Sequence, residues 1–318
     1  MDMLYFIVQQ TMFFSIPLLI VALAAMFSER SGVINIGLEG TMVIGAFAGT
    51  LYLHFAGGDA GAGKNHLMFA ILLAILSGLI YSAFHAFASI NMLADQTISG
   101  TALNMFSTAF SVFIARSLVG IQQIQFSGDY RIEKVPLLGD LPIIGPMLFQ
   151  NSYITNYLGI LILILSWFVL YKTRFGLRIR SAGEFPQATD AAGISVNKTR
   201  WAGVLISGAL GGLGGLAYIV PISTEFNGSV SGYGFLAIAV LIFGQWKPGY
   251  IVLSAFFFGI LKAISAAYTG IPALAQLGIP QVVYQILPYV ITIVVLFLTS
   301  KKSAAPKALG QPFDKGKR

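Results

Sequence analysis

The chain reads as long apolar segments separated by short polar ones. Runs near the roughly 20 residues that a helix needs to cross a bilayer cover residues 7–27, 33–56, 67–90, 101–119, 153–171, 202–220, 232–245, 249–267 and 284–300. This pattern predicts an all-α, polytopic membrane fold of about nine transmembrane helices. Two segments depart from it. The second opens on polar residues and glycines, SGVINIGLEG, and the seventh is short and glycine-rich, so both are expected to be broken or partly re-entrant. Non-helical backbone at membrane depth persists only where it is buried in protein or lines a cavity, which puts the second segment beside a path through the membrane. Within it Gly32, Gly37 and Gly40 permit a break, and Asn35 and Glu39 are suited to satisfy the backbone groups that the break exposes. Asn35, Gly37, Glu39, Gln96, Thr97 and Asn104 are the candidates for the path.

Composition agrees with lipid as the solvent: of 318 residues 56% are hydrophobic and 10% charged, against roughly 25% charged in soluble domains. The absence of Cys excludes disulfides, thiolate metal sites and a thiol nucleophile. The net charge of +7 sorts by side. Residues 172–200 and 301–318 each carry six Lys or Arg, and such bias marks the cytoplasm. Nine spans then set the N-terminus outside and the C-terminus inside, with fourteen bases on cytoplasmic segments and Lys64, Arg131 and Lys134 outside. The basic tail suits anionic lipid better than nucleic acid, and no nucleic-acid partner is expected. Residues 1–300 are read as the membrane domain and 301–318 as a disordered basic tail. The external connection 119–152, with three prolines, is read as an ordered, non-helical cap.

No catalytic constellation emerges. His54, His66 and His85 lack metal-site spacing, and no GxxxxGK[ST] phosphate loop occurs, so the chain is expected to bind neither metal nor nucleotide. Asp95, Glu39 and Glu225 stand out as the more buried acids. An ion-coupled secondary transporter would need a titrating acid such as Glu39 or Glu225. The loop 172–200 contains a predicted short helix outside the bilayer, with Pro186 fit for its first turn and Gly193 as its stop. Glycines four apart, Gly45 and Gly49, Gly208 and Gly212, Gly211 and Gly215, predict close helix packing.

Four stretches in order, SERSGVINIGLEGTMVIGA, TRFGLRIRSAGEFPQATDAAGISVNKTR, SGALGGLGGLAY and GYGFLAIAVLIFGQWKPGY, resemble the permease subunits of ABC importers in the branched-chain amino acid, ribose and nucleoside group. Within it the chain looks most like the shorter permease of bacterial nucleoside importers that use basic-membrane-protein-type lipoproteins as receptors. The resemblance implies a type II-like importer subunit in the bacterial cell membrane. Its partners would be a homologous second permease, a cytoplasmic ATPase carrying ATP and Mg, and an external substrate-binding lipoprotein. It also implies that Glu184, Phe185, Pro186, Gln187, Ala188, Thr189, Asp190, Ala191, Ala192 and Gly193 form the helix that couples to the ATPase. Thr189 stands where such permeases often carry Ala, and Phe185 where they carry Asn or His. Ribose and branched-chain amino acids remain alternative substrates.

Overall fold

The computed structural model describes residues 2–57, 63–267, 280–299 and 304–314. Helix α1, Asp2–Arg30, is apolar on every side, and a helix of that kind has to be enclosed. Its most apolar 18 residues are wholly buried by the rest of the chain. Against it pack α5 (Ile154–Lys172), α8 (Val196–Ile222), α9 (Tyr233–Phe243) and α10 (Pro248–Ala267); α2 (Leu38–Gly57) and α3 (Lys64–Ala86, running into a π turn at Phe87–Asn91) pack on α8, and α4 (Gln96–Val119) lies outside α2 and α3. Helix α11, Gln281–Thr299, leans on α10. Among the described residues seven helices, α1 to α5, α8 and α10, are long and apolar enough to cross a membrane. The seventh predicted span contains only α9, whose 11 residues rise about 16 Å, half of a hydrocarbon core roughly 30 Å thick.

Glycine brings α8 against its neighbours. A Cβ on Gly45 would strike the Gly212 backbone, one on Gly215 the Met42 carbonyl, and one on Gly212 the Ala74 carbonyl. Helices α4 and α5 carry their large side chains outward, with Met105, Phe113, Ile164 and Phe168 all exposed; such faces fit lipid or another membrane subunit.

At one end of the bundle lie two short ribbons. Strand β1 (Ile124–Gln125) pairs antiparallel with β4 (Glu225–Phe226), Ile124 opposite Phe226, and β2 (Arg131–Lys134) pairs antiparallel with β3 (Gln150–Tyr153), Arg131 opposite Tyr153. A 3-10 turn at Leu138–Asp140 and a π turn at Gly145–Phe149 complete the segment. The start of α1 is tied to it where Gln9 Nε2 donates to the Pro146 carbonyl at 2.7 Å.

The opposite end carries α6 (Arg174–Glu184) and α7 (Pro186–Ala191), and two expectations are corrected there. Residues 174–184 are helical rather than a basic connection, because Gly176, Ile179, Ala182 and Gly183 give α6 a buried face while its arginines point elsewhere. Residues 304–314 are not a disordered tail. Ala308 N donates to Gly183 O at 2.9 Å, Gly310 N donates to Gly32 O at 3.1 Å, and Phe313 is buried with Ala182 and Val196.

Candidate functional site

Between α1 and α2 the chain leaves helical geometry for the turn and extended backbone of residues 31–37. Gly32 takes φ +96, and a Cβ there would sit 2.9 Å from Arg200 Nη2, so the break needs glycine for both conformation and space. Several peptide groups in and just after this segment are met by side chains from other helices. Gln96 Oε1 accepts from Ile34 N at 2.7 Å, Asn104 Nδ2 donates to Ile36 O at 3.0 Å, and Asn104 Oδ1 accepts from Gly40 N at 2.7 Å. His85 Nε2 lies 2.8 Å from Ile34 O and must donate there, which leaves Nδ1 to accept from Ser99 Oγ at 3.1 Å. A broken segment inside lipid-solvated protein stands only when its backbone is paired in this way.

The sequence candidates divide accordingly. Asn35, Gly37, Glu39, Gln96 and Asn104 gather around the break, whereas Thr97 is exposed at the start of α4. Asn35 Nδ2 turns to Ser207 Oγ at 3.1 Å rather than to the backbone of its own segment, and Gly37 packs against Gly100. Asp95 is exposed rather than buried, and serves as the N-cap of α4 by accepting from Thr97 N and Ile98 N at 2.8 and 2.9 Å. It belongs to helix capping, which favours Asp at that position.

Glu39 has a different partner. Its carboxylate accepts from Gly232 N at 2.9 Å and Gly234 N at 2.6 Å, so it caps the start of α9 from 193 residues away in sequence. The first amides of a helix have no internal partner and carry partial positive charge. A carboxylate at that point offsets both, and α9 can therefore begin part-way through the bundle. Gly234 is required at the contact, since a Cβ would meet the Glu39 backbone at 2.5 Å.

At the α6–α7 end several segments meet. Glu29 is buried and accepts from Trp246 Nε1 at 2.6 Å, while Arg30 Nη2 donates to Trp246 O at 2.9 Å. Trp246 and the preceding Gln245 both take positive φ, 53 and 49, a costly conformation for such side chains that these bonds hold. Arg30 also lies 3.7 Å from Glu184 at the end of α6. Buried Arg200 donates from Nη1 to Gln311 O at 2.8 Å. Glu29, Arg200 and Trp246 are not marked as sites by the sequence: Glu29 and Trp246 show only that they stand beside the glycine turns at Gly32 and Gly244, and Arg200, inside α8, shows no signal of its own.

Outside this junction α6 and α7 form an open groove of about 670 Å³. Leu177 and Phe185 stand exposed at its apolar wall, with Ala188, Ala192 and Ile194 beyond and Arg174 and Arg178 at its edge. Pro186 opens α7, the Thr189 hydroxyl donates to Phe185 O at 3.1 Å, and Gly193 takes φ +77 where α7 ends. Within 184–193, Pro186 and Thr189 are buried and hold the helix, whereas Phe185, Gln187 and Ala188 face outward.

At the ribbon end two cavities of about 530 and 520 Å³ flank β1 and β4. His54 and Glu225 line the first, Tyr130 and Arg131 the second, and His54 Nδ1 lies 2.6 Å from Gln125 O. Among the described residues no group of three His, Asp or Glu is placed to hold a metal ion.

Comparison with known proteins extends this picture. The family described as branched-chain amino acid transport system / permease component matches residues 7–296. The chain is 43% identical to the guanosine ABC transporter permease protein NupQ of Bacillus subtilis, over 100% of this chain and 99% of that protein. It is 41% identical to the nucleoside ABC transporter permease protein NupC of Lactococcus lactis, over 99% and 98%. Bacillus subtilis has a further relative, the guanosine ABC transporter permease protein NupP, 27% identical over 89% of this chain and 78% of that protein. No solved structure matches the chain.

Proposed function

Because the chain belongs to the branched-chain amino acid transport system / permease component family, we propose that it is the membrane-spanning subunit of an ATP-driven importer of nucleosides in a bacterial cell membrane. The observation that carries the nucleoside reading is full-length similarity above 40% to two permeases described as acting on guanosine or nucleosides. The Lys and Arg distribution supports the α6–α7 end as cytoplasmic and the ribbon end as external.

On this reading the groove of α6 and α7 receives a separate ATPase, which binds ATP and Mg. An apolar wall edged by Arg174 and Arg178 suits a partner with an apolar knob and acidic rim. Motion there reaches the bundle through Glu184 and Arg30 and through residues 304–314. A second, homologous permease completes the membrane domain, as the guanosine pair NupP and NupQ in one organism supports, and the outward apolar faces of α4 and α5 offer it a surface. The ribbons and their two cavities receive an external binding protein. Asn35, Gly37, Glu39, Gln96 and Asn104 frame the path by fixing the broken segment and the start of α9, with Thr97 at its exposed edge.

The test is uptake of labelled guanosine by cells with and without the gene, challenged with excess uridine, ribose or leucine. Loss of uptake on deletion, with competition by uridine alone, is expected. Unchanged guanosine uptake in a strain without a second nucleoside system would overturn the nucleoside assignment. For coupling, P186G combined with D190A is expected to lower uptake at least tenfold while ATP hydrolysis by the purified complex continues. Normal uptake would remove the coupling role from 184–193.

A further inference from the structure

Lys262 lies 14 residues beyond Pro248 in α10, about 21 Å along the helix axis, inside a membrane-spanning segment and one turn before its end at Ala266. An ammonium at such depth is costly and is retained where it has a partner or faces water. Among the described residues the ion pairs are Arg30 with Glu184 and Lys134 with Asp140, so no described carboxylate neutralises Lys262. Nor does the side chain run to either end of the bundle. Its Nζ donates to Tyr289 Oη at 3.2 Å and lies 4.8 Å from the centre of the Tyr289 ring and 5.6 Å from that of Tyr233. Tyr233 is the first residue of α9, the half-length helix that Glu39 caps.

The rings around the ammonium are not a closed core. Tyr289 is 42% exposed, whereas Tyr233 is 1% exposed and stacks on Tyr218 with centroids 3.9 Å apart. The Tyr233 hydroxyl is buried and has no hydrogen-bond partner among the described residues. The cluster therefore presents uncovered phenol surface on Tyr289 and an ammonium with two N–H donors beyond the one given to Tyr289. A flat ring bearing carbonyl or ring-nitrogen acceptors matches both, by stacking and by accepting hydrogen bonds. A simple sugar offers no extended π face to Tyr289.

We propose that Lys262, Tyr233 and Tyr289 form an intramembrane docking point for the base of a nucleoside in transit. This rests on the nucleoside reading and adds a place and a chemistry to it. Recognition at this point is through the base, with Tyr289 stacking and Lys262 donating to its acceptors, so that purines, with the larger face, gain more than pyrimidines.

The experiment uses the complete importer in its own bacterium, with K262M, Y289L and Y289F introduced one at a time. Initial uptake of labelled guanosine and cytidine is measured, together with the amount of transporter complex recovered through a tag on this chain. Y289L and K262M are expected to reduce guanosine uptake at least tenfold with unchanged complex recovery. Y289L should also lower the guanosine-to-cytidine ratio at least threefold, while Y289F retains the wild-type ratio. Wild-type uptake and ratio in both Y289L and K262M would overturn the docking point. A loss of complex in step with the loss of uptake would overturn it too, by making the cluster a contact between subunits. Failure of the underlying reading is visible separately, in a wild-type strain whose guanosine and cytidine uptake do not depend on the gene.

Discussion

A Cβ placed on Gly212 would run into the Ala74 carbonyl, and that on Gly45 into Gly212 itself, whereas one on Gly63 would meet nothing within 4 Å. Overpacking of a close contact costs about 1–3 kcal/mol and more when backbone must move, so the three positions separate packing from helix propensity. G212L is expected to lower the thermal midpoint of the purified chain by at least several degrees or to abolish its accumulation in the membrane. G63A should leave both unchanged, and size-exclusion profiles after heating in detergent would read the difference. Glu29 offers a second contrast. Its bond to Trp246 Nε1 is buried, and E29A strands that donor at a cost of roughly 1–3 kcal/mol. The Arg30–Glu184 contact, with Glu184 44% exposed, is worth at most about 1 kcal/mol.

Helix α9 depends on a residue from another element. Two of its opening amides are held by Glu39, and removing the carboxylate leaves them without a partner at roughly 1–3 kcal/mol each, with loss of the favourable charge at the helix start. E39A is therefore expected to destabilise the chain and abolish uptake. E39Q, which keeps one carbonyl acceptor, should retain folding with reduced uptake; thermal midpoint and guanosine uptake measured on both variants check this. Wild-type uptake in E39A would dissociate the cap from transport. The polar, glycine-rich character of residues 31–40 made the break itself legible, and so was the shortness of the α9 segment. That Glu39 caps α9 instead of pairing within its own segment was not, because 193 residues of chain separate the partners. Helix α6 was misread as loop for a related reason: its five basic and polar positions dominate a hydrophobicity scan, and the small buried face of Gly176, Ile179, Ala182 and Gly183 declares itself only against a packing surface.

At the scale of the whole molecule, residues 304–314 are the unexpected member. They join the end of α6, the Gly32 turn, Arg200 and Gln245 by hydrogen bonds, with Phe313 as an apolar anchor. Truncation after Ser303 is expected to lower the thermal midpoint and to reduce uptake per ATP hydrolysed, because the helices proposed to receive the ATPase would lose one of their ties to the bundle. Stability and the transport-to-hydrolysis ratio of the purified complex in vesicles measure this. Unchanged values for both would restrict the segment to a passive cover.

The sequence by itself determined the solvent, the succession of apolar helices, the break after α1 and the family resemblance, since these are written in local composition, in periodicity and in short motifs whose residues are neighbours in the chain. Which helix is central was decided only by the tertiary structure: α1 is no more apolar than several others, and enclosure depends on what packs around it. The same holds for Gln96, Asn104 and His85 as clamps on residues 34–40, for the burial of Glu29 against Trp246, and for the meeting of Lys262 with Tyr233 and Tyr289. Each of these joins polar groups from separate helices, and a polar group in a membrane protein acquires its meaning from the partner that satisfies it.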